Sequence, residues 1–590
     1  MQLTIDFPKP LSFRQRIWSN PGRQETDIDP RFRESASPAV AKILQNRCDP
    51  DQVSAFLTPK LKNLIPDPAR FHGMREGARA VIDAIRRQET IGIFSDYDAD
   101  GATSAAILGW FLRMIGHDRF HLRIPDRIAE GYGPNGPALR EMQVRGCNTI
   151  VILDSGTVAF DALEEARNAG ITVVVIDHHA SEDELPPAAA IINPNRRDEV
   201  EGYEGLCAAA MTFLFVIDVC RLLFNDGTHI DLDGNAVETP DLMDLLDLVG
   251  LGTVADVMPL NHPLNRAFVV QGLKRMNGTK RPGIAALCDV SGLRGAISER
   301  DLGWILGPRI NAGGRIGTSD SGARLLLETD PDQAREMADA LDQLNQQRRT
   351  MERDATSQAL EQCATLARQV AIAVVDSHEG VVGISAGRVK EALDVPAIVL
   401  TPTGSGLLKG SARSVEDVDI GRLIIEARQS GLIERGGGHP MAGGVSLHRE
   451  QIPAFQEFLD HGIRGTDYAR NGVRVYPDLM IDLDTLTPAF IRDLEALRPF
   501  GPGNPQPLVM LEGLRVENIR VMKSAHYKLE LANNKGSIDG LAWNAADTPF
   551  GNAIMAHDKT SVDVVGRLEL NDFNQRVVPQ IIIEDIRKST

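Results

Sequence analysis

The sequence predicts an α/β protein in which a parallel-sheet lobe is joined by a long helix to a smaller α/β lobe, with a β-barrel following at the C-terminal end. Three observations support this prediction. Short apolar runs alternate with amphipathic stretches over residues 73–325, which is typical of parallel βαβ units. A glycine-free stretch rich in Ala, Leu, Gln, Glu and Arg follows at 331–366. After residue 465, short strand-like runs alternate with turn residues, and this pattern favours a small barrel.

Length and charge limit the possibilities before any motif is considered. At roughly 100–200 residues a domain, 590 residues suggest three to five domains. The net charge of −18 by itself favours a small-molecule enzyme, because a protein that binds nucleic acid needs positive surface for the phosphates. Bound divalent cations and local basic patches would have to offset this charge.

The sequence indicates neither export nor membrane insertion. The N-terminal residues lack a basic segment followed by an apolar one. The six cysteines are scattered and form no CxxC pair, as expected for reduced thiols in the cytosol. The most apolar stretch, 206–224, is interrupted by Asp218 and Arg221, which favours a buried core helix over a membrane span. We therefore expect a cytoplasmic protein.

The same patterns predict the individual elements. In the first lobe we expect strands at 90–94, 149–153 and 172–176, and helices at 75–87, 103–115 and 160–169, with an acidic loop before residue 103. Residues 208–276 look helical apart from a polar loop at 226–239. The stretch 331–366 predicts one long helix or a pair, and an α/β pattern covers 370–465. The barrel strands are expected at 508–511, 519–522 and 527–531.

Carboxylates follow the first two predicted strands. Asp96, Asp98 and Asp100 stand at alternate positions after the first strand, and such clustered carboxylates repel each other unless cations neutralise them. A solvated acidic turn is the ordinary alternative; a calcium loop is another, although no Glu stands at the EF-hand offset. Asp154 follows the second strand, where a single Asp is also a common helix N-cap.

A second group combines histidine with aspartate. Asp177, His178 and His179 follow the third strand, and Asp256 stands in an otherwise apolar stretch, where a carboxylate without a partner would be costly. Because open parallel sheets build their sites beyond the carboxyl ends of their strands, we expect these side chains to converge. They would suffice for two cations about 3.5–4 Å apart sharing one carboxylate. The predicted chemistry is hydrolysis of a phosphoester or phosphoanhydride.

In this order, the motifs resemble those of the DHH phosphoesterase superfamily, which is named for the triplet at 177–179. The segment 308–315 is similar to a signature of its RecJ branch, and 380–383, 410–414 and 436–444 resemble the accompanying DHHA1 domain. The segment 498–505 resembles the approach to an OB-fold. The resemblance implies an N-terminal extension, a DHH catalytic domain, a helical connector, a DHHA1 domain and an OB-like nucleic-acid-binding domain, at 1–72, 73–325, 326–369, 370–465 and 466–590.

The resemblance also implies the roles of the site residues. Two cations, Mn²⁺ with Mg²⁺ as a substitute, would be held by Asp96, Asp98, Asp100, Asp154, His178 and Asp256. Among the catalytic residues, Asp154 would bridge the cations, His179 would contact the scissile phosphate, and Asp177 would be mainly supportive. A site with imidazole as well as oxygen ligands suits manganese.

Substrate contacts are implied for Arg127, Arg309, Asn311, Arg315, Ser411, Arg413, Gly437, Gly438 and His439. Arg309 and Arg315, in a loop beside the metal site, would bind phosphate; the alternative is that they are surface arginines. The glycine-rich segment 436–444 would let the main chain approach phosphates, or it could be a simple turn cluster. Arg127, Ser411 and Arg413 would form a pocket for a terminal 5′ phosphate.

The OB-like region is less informative. It contains 14 Lys and Arg against 17 Asp and Glu, a net charge of −3, whereas DNA-binding OB-folds usually present a basic groove with aromatic side chains for stacking. The candidates for such a groove are Arg520, Lys523, Tyr527, Lys528 and Trp543. Ordinary barrel surface and core would explain these residues equally well.

The function implied by the resemblance is hydrolysis of single-stranded DNA from the 5′ end to 5′ mononucleotides by a two-metal mechanism, in DNA repair and recombination. Single-strand-binding protein and a helicase would be partners, and the enzyme would be a monomer. One rival is a phosphodiesterase for oligoribonucleotides or cyclic dinucleotides, although such proteins are generally shorter and lack the OB-like region. The other is a non-enzymatic scaffold, which predicts eroded metal motifs, whereas all four motifs are intact here.

Overall fold

The structure is a computed structural model that describes residues 11–19, 28–127, 129–225, 229–363, 369–404, 406–464, 466, 468, 472–546, 548–573 and 576–589. The chain forms two compact units. The first contains Met1–Val53, Arg349–Arg498 and Gln506–Thr590, and the second contains Ser54–Arg348 and Pro499–Pro505.

The N-terminal part contains one short strand and several short helices. These elements are β1 (Ile17–Trp18), α1 (Pro30–Arg33), α2 (Pro38–Leu44), α3 (Val53–Leu57) and α4 (Leu61–Leu64). Helix α2 begins at Pro38 because Ser37 caps its free N–H groups and proline fits the first helical position.

A parallel five-stranded sheet follows, in the order β3-β2-β4-β5-β6. Its elements are α5 (Met74–Arg86), β2 (Ile91–Ser95), α6 (Ala99–Met114), β3 (Phe120–Arg123), α7 (Gly136–Val144), β4 (Thr149–Leu153), α8 (Phe160–Asn168), β5 (Thr172–Ile176) and β6 (Ala190–Ile192). Nearly every residue of β2, β4 and β5 is buried, as expected when helices cover both faces of a parallel sheet. The predicted parallel α/β lobe is confirmed.

The acidic loop after β2 is shorter than predicted. Helix α6 begins at Ala99 and not near residue 103, because the Asp98 carboxylate accepts hydrogen bonds from the N–H groups of Asp100 (2.9 Å) and Gly101 (3.1 Å) and so caps the helix. Asp100 therefore lies in the first helical turn. Gly101 allows this tight entry, since a Cβ there would lie 2.4 Å from the Asp96 carbonyl oxygen.

The rest of the second unit is largely helical, as predicted for residues 208–276. Its elements are α9 (Ala208–Leu223), β7 (His229–Ile230), β8 (Ala236–Val237), α10 (Leu246–Ala255), α11 (Pro263–Gly278), α12 (Pro282–Ser291), α13 (Glu299–Asp301), a π-helical turn (Leu302–Leu306), α14 (Gly307–Ile316) and α15 (Ser321–Leu327). Most of α9 is buried, so the apolar stretch is a core helix. Among the described helices, none is both long and apolar enough to cross a membrane.

The connector is one helix, α16 (Pro331–Cys363). The boundary between the two units falls inside it, between Arg348 and Arg349. The prediction had left open one helix or two, and the absence of Gly or an internal Pro is consistent with the continuous helix that forms.

A second sheet of five strands forms a smaller α/β fold, in the order β12-β13-β11-β10-β9. Its elements are β9 (Ala371–Val374), α17 (Glu379–Leu393), β10 (Ala397–Pro402), β11 (Leu408–Arg413), α18 (Ile420–Gln429), β12 (Arg435–His439), β13 (Ala442–Leu447) and α19 (Ile452–Ile463). Strands β9 and β10 are parallel, and the other neighbouring pairs are antiparallel.

The C-terminal region is a closed five-stranded barrel, as predicted, since β19 pairs with both β20 and β16. The elements of the region are β14 (Arg474–Val475), β15 (Leu479–Met480), α20 (Pro488–Leu494), β16 (Leu508–Met522), β17 (His526–Asn533), β18 (Gly536–Ala542), α21 (Pro549–Ala556), β19 (Ser561–Phe573) and β20 (Arg576–Lys588). The separate strands predicted at 508–511 and 519–522 are wrong: they are the two ends of β16, whose irregular register lets one strand bend around the barrel.

Candidate active site

Three aspartates meet at the carboxyl edge of the parallel sheet. Strands β2, β4 and β5 are neighbours and pair in parallel, so the residues that follow them, Asp96, Asp154 and Asp177, lie side by side. All three are buried. Asp154 has a left-handed backbone (φ +59°), a conformation that Asp tolerates better than most residues.

His178 lies at the centre of the carboxylates. Its Nε2 atom is 3.3 Å from Oδ1 of Asp154, 3.4 Å from Oδ2 of Asp256 and 3.8 Å from Oδ2 of Asp100. Burial lowers the pKa of His178, so its imidazole is neutral at pH 7 and can act as a metal ligand.

The ligand atoms form three overlapping groups, each within 4.8 Å. One contains Asp96, Asp98 and Asp154; the next contains Asp100, His178 and Asp256; the last contains Asp154 with His178 and His179. All six predicted metal ligands are therefore brought together. Asp154 belongs to the first group and contacts His178 of the second, so it lies between them.

The donor chemistry of the site fits a divalent cation. Oδ1 of Asp96, Oδ1 of Asp154 and Oδ2 of Asp256 are buried and accept no hydrogen bond from any described residue, an arrangement that is costly unless positive charge is supplied. Burial, with the neighbouring carboxylates, raises the pKa of Asp96 to about 8 and that of Asp256 to about 9, and raises the pKa of Asp154 as well. These groups repel each other as anions and would be stabilised by bound cations.

The N-terminus of helix α9 binds the carboxylate of Asp100. Its two carboxylate oxygens accept hydrogen bonds from the N–H groups of Ala208 (2.7 Å) and Ala209 (3.0 Å), in the first turn of that helix. The positive end of the helix dipole favours the ionised carboxylate, although burial raises its pKa overall. The apolar helix thus fixes the orientation of Asp100.

Asp177 does not belong to the metal-ligand groups but orients His179. Its Oδ1 atom lies 2.8 Å from Nδ1 of His179, and its Oδ2 atom accepts a hydrogen bond from the N–H of Thr157 (3.0 Å). Burial would raise the pKa of Asp177, but the hydrogen bonds from His179 and Thr157 outweigh it, so the pKa lies below its ordinary value. Burial would lower the pKa of His179, but the bond to Asp177 outweighs it and raises the pKa.

Sequence reasoning did not identify Tyr132, Thr157 or Asn193 as site residues. The Tyr132 hydroxyl lies 3.1 Å from Nε2 of His179 and donates to the carbonyl oxygen of Asp154 (3.2 Å). Nδ2 of Asn193 donates to Thr157 Oγ1 and to the carbonyl oxygen of His179, both at 2.8 Å. Of the three, only Tyr132 lies near a residue that the sequence analysis names, Arg127.

Two of the predicted phosphate ligands in the second unit lie near the acidic loop. The Arg127 guanidinium stacks over the ring of Tyr97 at 5.1 Å. Burial, with the neighbouring Arg127 and Arg348, lowers the pKa of Arg315 to about 10, while Asp98 acts in the opposite direction. Helix α14 reaches this place because Gly314 packs against Tyr97, where a Cβ would lie 2.8 Å from the Tyr97 carbonyl oxygen.

The loop predicted for Arg309 and Arg315 is wrong, since both are on helix α14. A proline at the start of a helix is favourable, so Pro308 is compatible with it. The Arg309 guanidinium is bound to Asp342 (2.9 Å) and to the carbonyl oxygen of Ile305 (2.8 Å). Oδ1 of Asn311 is buried and accepts no hydrogen bond from a described residue.

The other predicted contacts lie on the second sheet, in the first unit. Two rows cross strands β11, β13 and β12: Ser411, Gly444 and Gly437 form one, and Arg413, Ala442 and His439 form the next. Cβ atoms added at Gly437 and Gly444 would meet nothing within 4 Å, so these two glycines are uncovered, whereas Ser411 and Arg413 lie close to Gly383 of α17, where a Cβ would be 3.1 Å from each side chain. We call these two rows the glycine face. By strand alternation Gly438 lies on the opposite face, where Gly421 of α18 packs closely.

Among the barrel candidates, Tyr527 is buried and belongs to the barrel core. Lys528 lies on the surface and forms an ion pair with Asp539 at 2.8 Å. Trp543 is half exposed and packs edge-on against His526 at 4.7 Å. Arg520 is exposed, and Lys523 lies in the β16–β17 turn with φ +47°.

The sheet-edge carboxylates, the paired histidines and the buried oxygens without hydrogen-bond donors define a metal-dependent phosphoesterase of the DHH type. Family models match three parts of the chain: the DHH family N-terminal domain at 90–253, the DHHA1 domain at 367–465 and the RecJ OB domain at 477–585. The chain is 33% identical to the single-stranded-DNA-specific exonuclease RecJ of Escherichia coli, over 90% of this chain and 92% of that protein. The chain therefore belongs to the RecJ family.

Solved structures agree with this assignment. RecJ of Thermus thermophilus in complex with Mn²⁺ superimposes with a TM-score of 0.78 at 28% identity, covering 97% of this chain and 80% of that one. The same protein in complex with Mg²⁺ gives a TM-score of 0.71 at 26% identity, covering 97% and 79%.

Proposed function

We propose that this protein is an exonuclease that degrades single-stranded DNA from the 5′ end and releases 5′ mononucleotides, using two divalent cations. Two of the ligand groups at the sheet edge carry the proposal, with Asp154 between them. They are the group of Asp96, Asp98 and Asp154 and the group of Asp100, His178 and Asp256. Manganese is the expected cation and magnesium its substitute, in keeping with a set of carboxylates and one neutral imidazole.

The proposal assigns the metal site to Asp96, Asp98, Asp100, Asp154, His178 and Asp256, with Asp154 as the shared ligand. When bound, the cations would supply a water molecule of lowered pKa and positive charge for the phosphoryl oxygens. The protein's own contribution is to fix the ligands beforehand: Asp98 caps α6, and Asp100 is bound by the N–H groups of α9. Such preorganisation lowers the reorganisation needed in the transition state.

His179 is assigned to the scissile phosphate. Its raised pKa favours the imidazolium form, which donates a hydrogen bond to a phosphoryl oxygen or a proton to the leaving oxygen. Asp177 holds one ring nitrogen and so sets the direction of the other. The Tyr132 hydroxyl lies within 3.2 Å of both ring nitrogens and limits the rotation of the ring. These contacts support the assignment of Asp177 as a residue that acts through His179.

Arg127 and Arg315 are assigned to substrate phosphates near the acidic loop, and Asn311 of α14 is also assigned to the substrate. Arg413, Ser411, Gly437 and His439 are assigned to the DNA strand on the glycine face. We assign Arg309 to the packing of α14 against α16, because Asp342 holds its guanidinium, and Gly438 to the close approach of α18. The domain limits 1–72, 73–325, 326–369, 370–465 and 466–590 stay a prediction.

The cellular setting is part of the proposal as well. A monomeric cytoplasmic enzyme of DNA repair and recombination would receive single strands from a helicase and from single-strand-binding protein. Co-sedimentation of the purified protein with single-strand-binding protein, and its mass in solution, test this part separately from the chemistry.

The deciding experiment is digestion of 3′-labelled oligonucleotides in the presence of Mn²⁺, with Asp154→Ala protein as the control for contaminating nucleases. The substrates are a single strand, a blunt duplex, a 5′-tailed duplex and a dinucleotide. Loss of the single strand and of the 5′ tail, with the blunt duplex spared, is expected. Cleavage of the dinucleotide alone would indicate a small-substrate phosphodiesterase, and no cleavage by metal-loaded protein would indicate a scaffold.

A further inference from the structure

The turn that carries Asp256 is strained. Helix α10 ends at Ala255, and Val257 has a left-handed backbone with φ +61°. The N–H of Met258 donates to the carbonyl oxygen of Thr253 at 3.1 Å. This bond is typical of a turn that ends a helix with a left-handed residue, a position that glycine usually occupies. An L-residue loses roughly 1–2 kcal/mol in this conformation, and Val is β-branched. The turn therefore needs support from the residues around it.

That support comes from contacts to Pro259 and Leu260, the two residues after Met258. The N–H of Leu260 donates to the carbonyl oxygen of Pro502 at 2.6 Å. The carbonyl oxygen of Leu260 accepts from Nη1 of Arg266 at 3.1 Å, and that of Pro259 accepts from Nδ2 of Asn265 at 3.1 Å. Hydrogen bonds to the Leu260 N–H and to the carbonyl oxygens of Pro259 and Leu260 thus fix the main chain that follows Asp256.

Arg266 is the central member of this arrangement. It is fully buried, and its guanidinium also donates to the carbonyl oxygens of Phe56 (2.9 Å) and Pro499 (3.3 Å) and stacks on the Phe56 ring at 3.7 Å. Burying a charged group is expensive unless its hydrogen bonds are satisfied. Carbonyl acceptors from three separate parts of the chain satisfy it here, so Arg266 fixes their relative positions.

The segment Pro499–Pro505 fits closely against the same turn. Gly501 and Asn504 exchange hydrogen bonds at 2.9 and 3.0 Å. Gly503 has φ +70°, and a Cβ there would lie 2.2 Å from Oδ1 of Asn261. This segment belongs to the second unit, whereas Arg498 and Gln506 on either side of it belong to the first. The residues that contact the Asp256 turn are therefore followed directly in the chain by β16 of the barrel.

We propose that Arg266 and the segment Pro499–Pro505 position Asp256 as a metal ligand by holding the strained turn at Val257. They are positioning residues, since the contacts described for them stop at the turn and do not reach the ligand group. The inference rests on the proposed function in one respect, because it takes Asp256 to be a ligand.

The test is Mn²⁺ binding by the full-length protein, followed by the electron paramagnetic resonance signal of free Mn²⁺. Gly503→Ala is expected to weaken one binding site about tenfold, the scale on which residues behind a ligand affect affinity. Gly513→Ala is the matched control: Gly513 also has positive φ (+63°), but a Cβ there meets nothing within 4 Å. Asp256→Asn defines the effect of losing the ligand itself.

The outcomes separate the two proposals. If Asp256→Asn binds Mn²⁺ like the wild type, the metal role assigned under the proposed function fails. If Asp256→Asn weakens binding but Gly503→Ala behaves like Gly513→Ala, the positioning role is overturned. Arg266→Lys, which keeps the charge but cannot reach three carbonyls, is a second variant if Gly503→Ala does not fold. A lower unfolding temperature with unchanged Mn²⁺ affinity would also overturn the inference.

Discussion

The two five-stranded sheets carry their polar groups in different places. The parallel sheet has buried, apolar strands and places its carboxylates beyond the strand ends, where Asp96, Asp154 and Asp177 meet. The mixed sheet carries Ser411 and Arg413 along one face of its strands, beside uncovered glycines. One region is a compact acidic site suited to cations, and the other is a strand face that carries two uncovered glycines and the guanidinium of Arg413. A total charge of −18 conceals this division, which is why net charge alone favoured the wrong class of enzyme.

Removing Asp154, the carboxylate that we propose as the shared ligand, tests the acidic edge most severely. Asp154→Ala is expected to lower kcat for single-stranded DNA by about 1,000-fold or more, equivalent to ~4 kcal/mol of transition-state stabilisation, because Asp154 lies between both ligand groups. The measurement is hydrolysis of a 3′-labelled strand in Mn²⁺. Asp183→Ala, which removes an exposed carboxylate of the same unit, is the control. Activity within tenfold of the wild type would exclude a shared ligand.

Filling the glycine face tests the other region. Gly437→Val adds a side chain where no atom lies within 4 Å, and valine suits a strand, so stability should be kept. We expect the Kd for single-stranded DNA to rise about tenfold, or ~1.4 kcal/mol, with kcat at saturation nearly unchanged. Fluorescence anisotropy measures the affinity, and Gly404→Val in an open loop is the control. Equal affinities for the two variants would remove this face from the DNA path.

The hydroxyl of Tyr132 separates the orientation of His179 from the binding of metal. Tyr132→Phe removes the contacts to His179 and to the Asp154 carbonyl oxygen. One hydrogen bond contributes about 1 kcal/mol, so kcat should fall about fivefold at unchanged Mn²⁺ affinity. Steady-state kinetics at saturating DNA and metal provide the measurement, compared with Tyr203→Phe. A loss of Mn²⁺ affinity instead would indicate that Tyr132 positions the metal ligands and not His179.

The raised pKa values predict that the acidic edge destabilises the metal-free protein. Burial, with Asp100 and Asp98, raises the pKa of Asp256 from 3.8 to about 9. Between these values the native state keeps a proton that the unfolded chain has lost, so the free energy of unfolding falls as pH rises from about 4 to 9. Asp256→Asn removes the contribution of Asp256 to this dependence, while Asp96, Asp100 and Asp154 keep theirs. Each kcal/mol gained corresponds to roughly 2–4 °C in Tm.

Thermal unfolding in chelator at pH 5 and pH 8.5 measures this effect. At pH 8.5 Asp256→Asn should have the higher Tm, and at pH 5 the difference should be smaller. The exposed Asp183→Asn serves as the comparison. A wild-type Tm that is higher at pH 8.5 without metal would contradict the assigned direction of the pKa.

Much of this site could be predicted because its signals are local. Strands β4 and β5 lie where the β-branched runs predict them, and the residues after β2, β4 and β5 converge because parallel strands end at one edge. The predicted start of α6 is wrong because a run of aspartates is typical of a loop, whereas here Asp98 caps the helix and Asp100 lies in its first turn. Periodicity could not show that β16 continues through its bulges.

Other features depend on contacts between distant parts of the chain. Thr157 and Asn193 reach the site through tertiary hydrogen bonds, and no pattern around either residue predicts this. The pairing of Arg309 with Asp342 requires two helices to lie side by side. The support that Pro502 gives to Leu260 joins residues more than two hundred positions apart.

The uncovered strip at Gly437 and Gly444 also bears on sequence preference. Glycine offers a ligand only its main chain, because it has no side chain. Base identity is read through donors and acceptors that match particular base edges, and glycine has no side chain to provide them. A strand of DNA lying against these two glycines would meet no side chain there that distinguishes one base from another. Such a surface suits an enzyme that must advance through any order of bases without stopping at one.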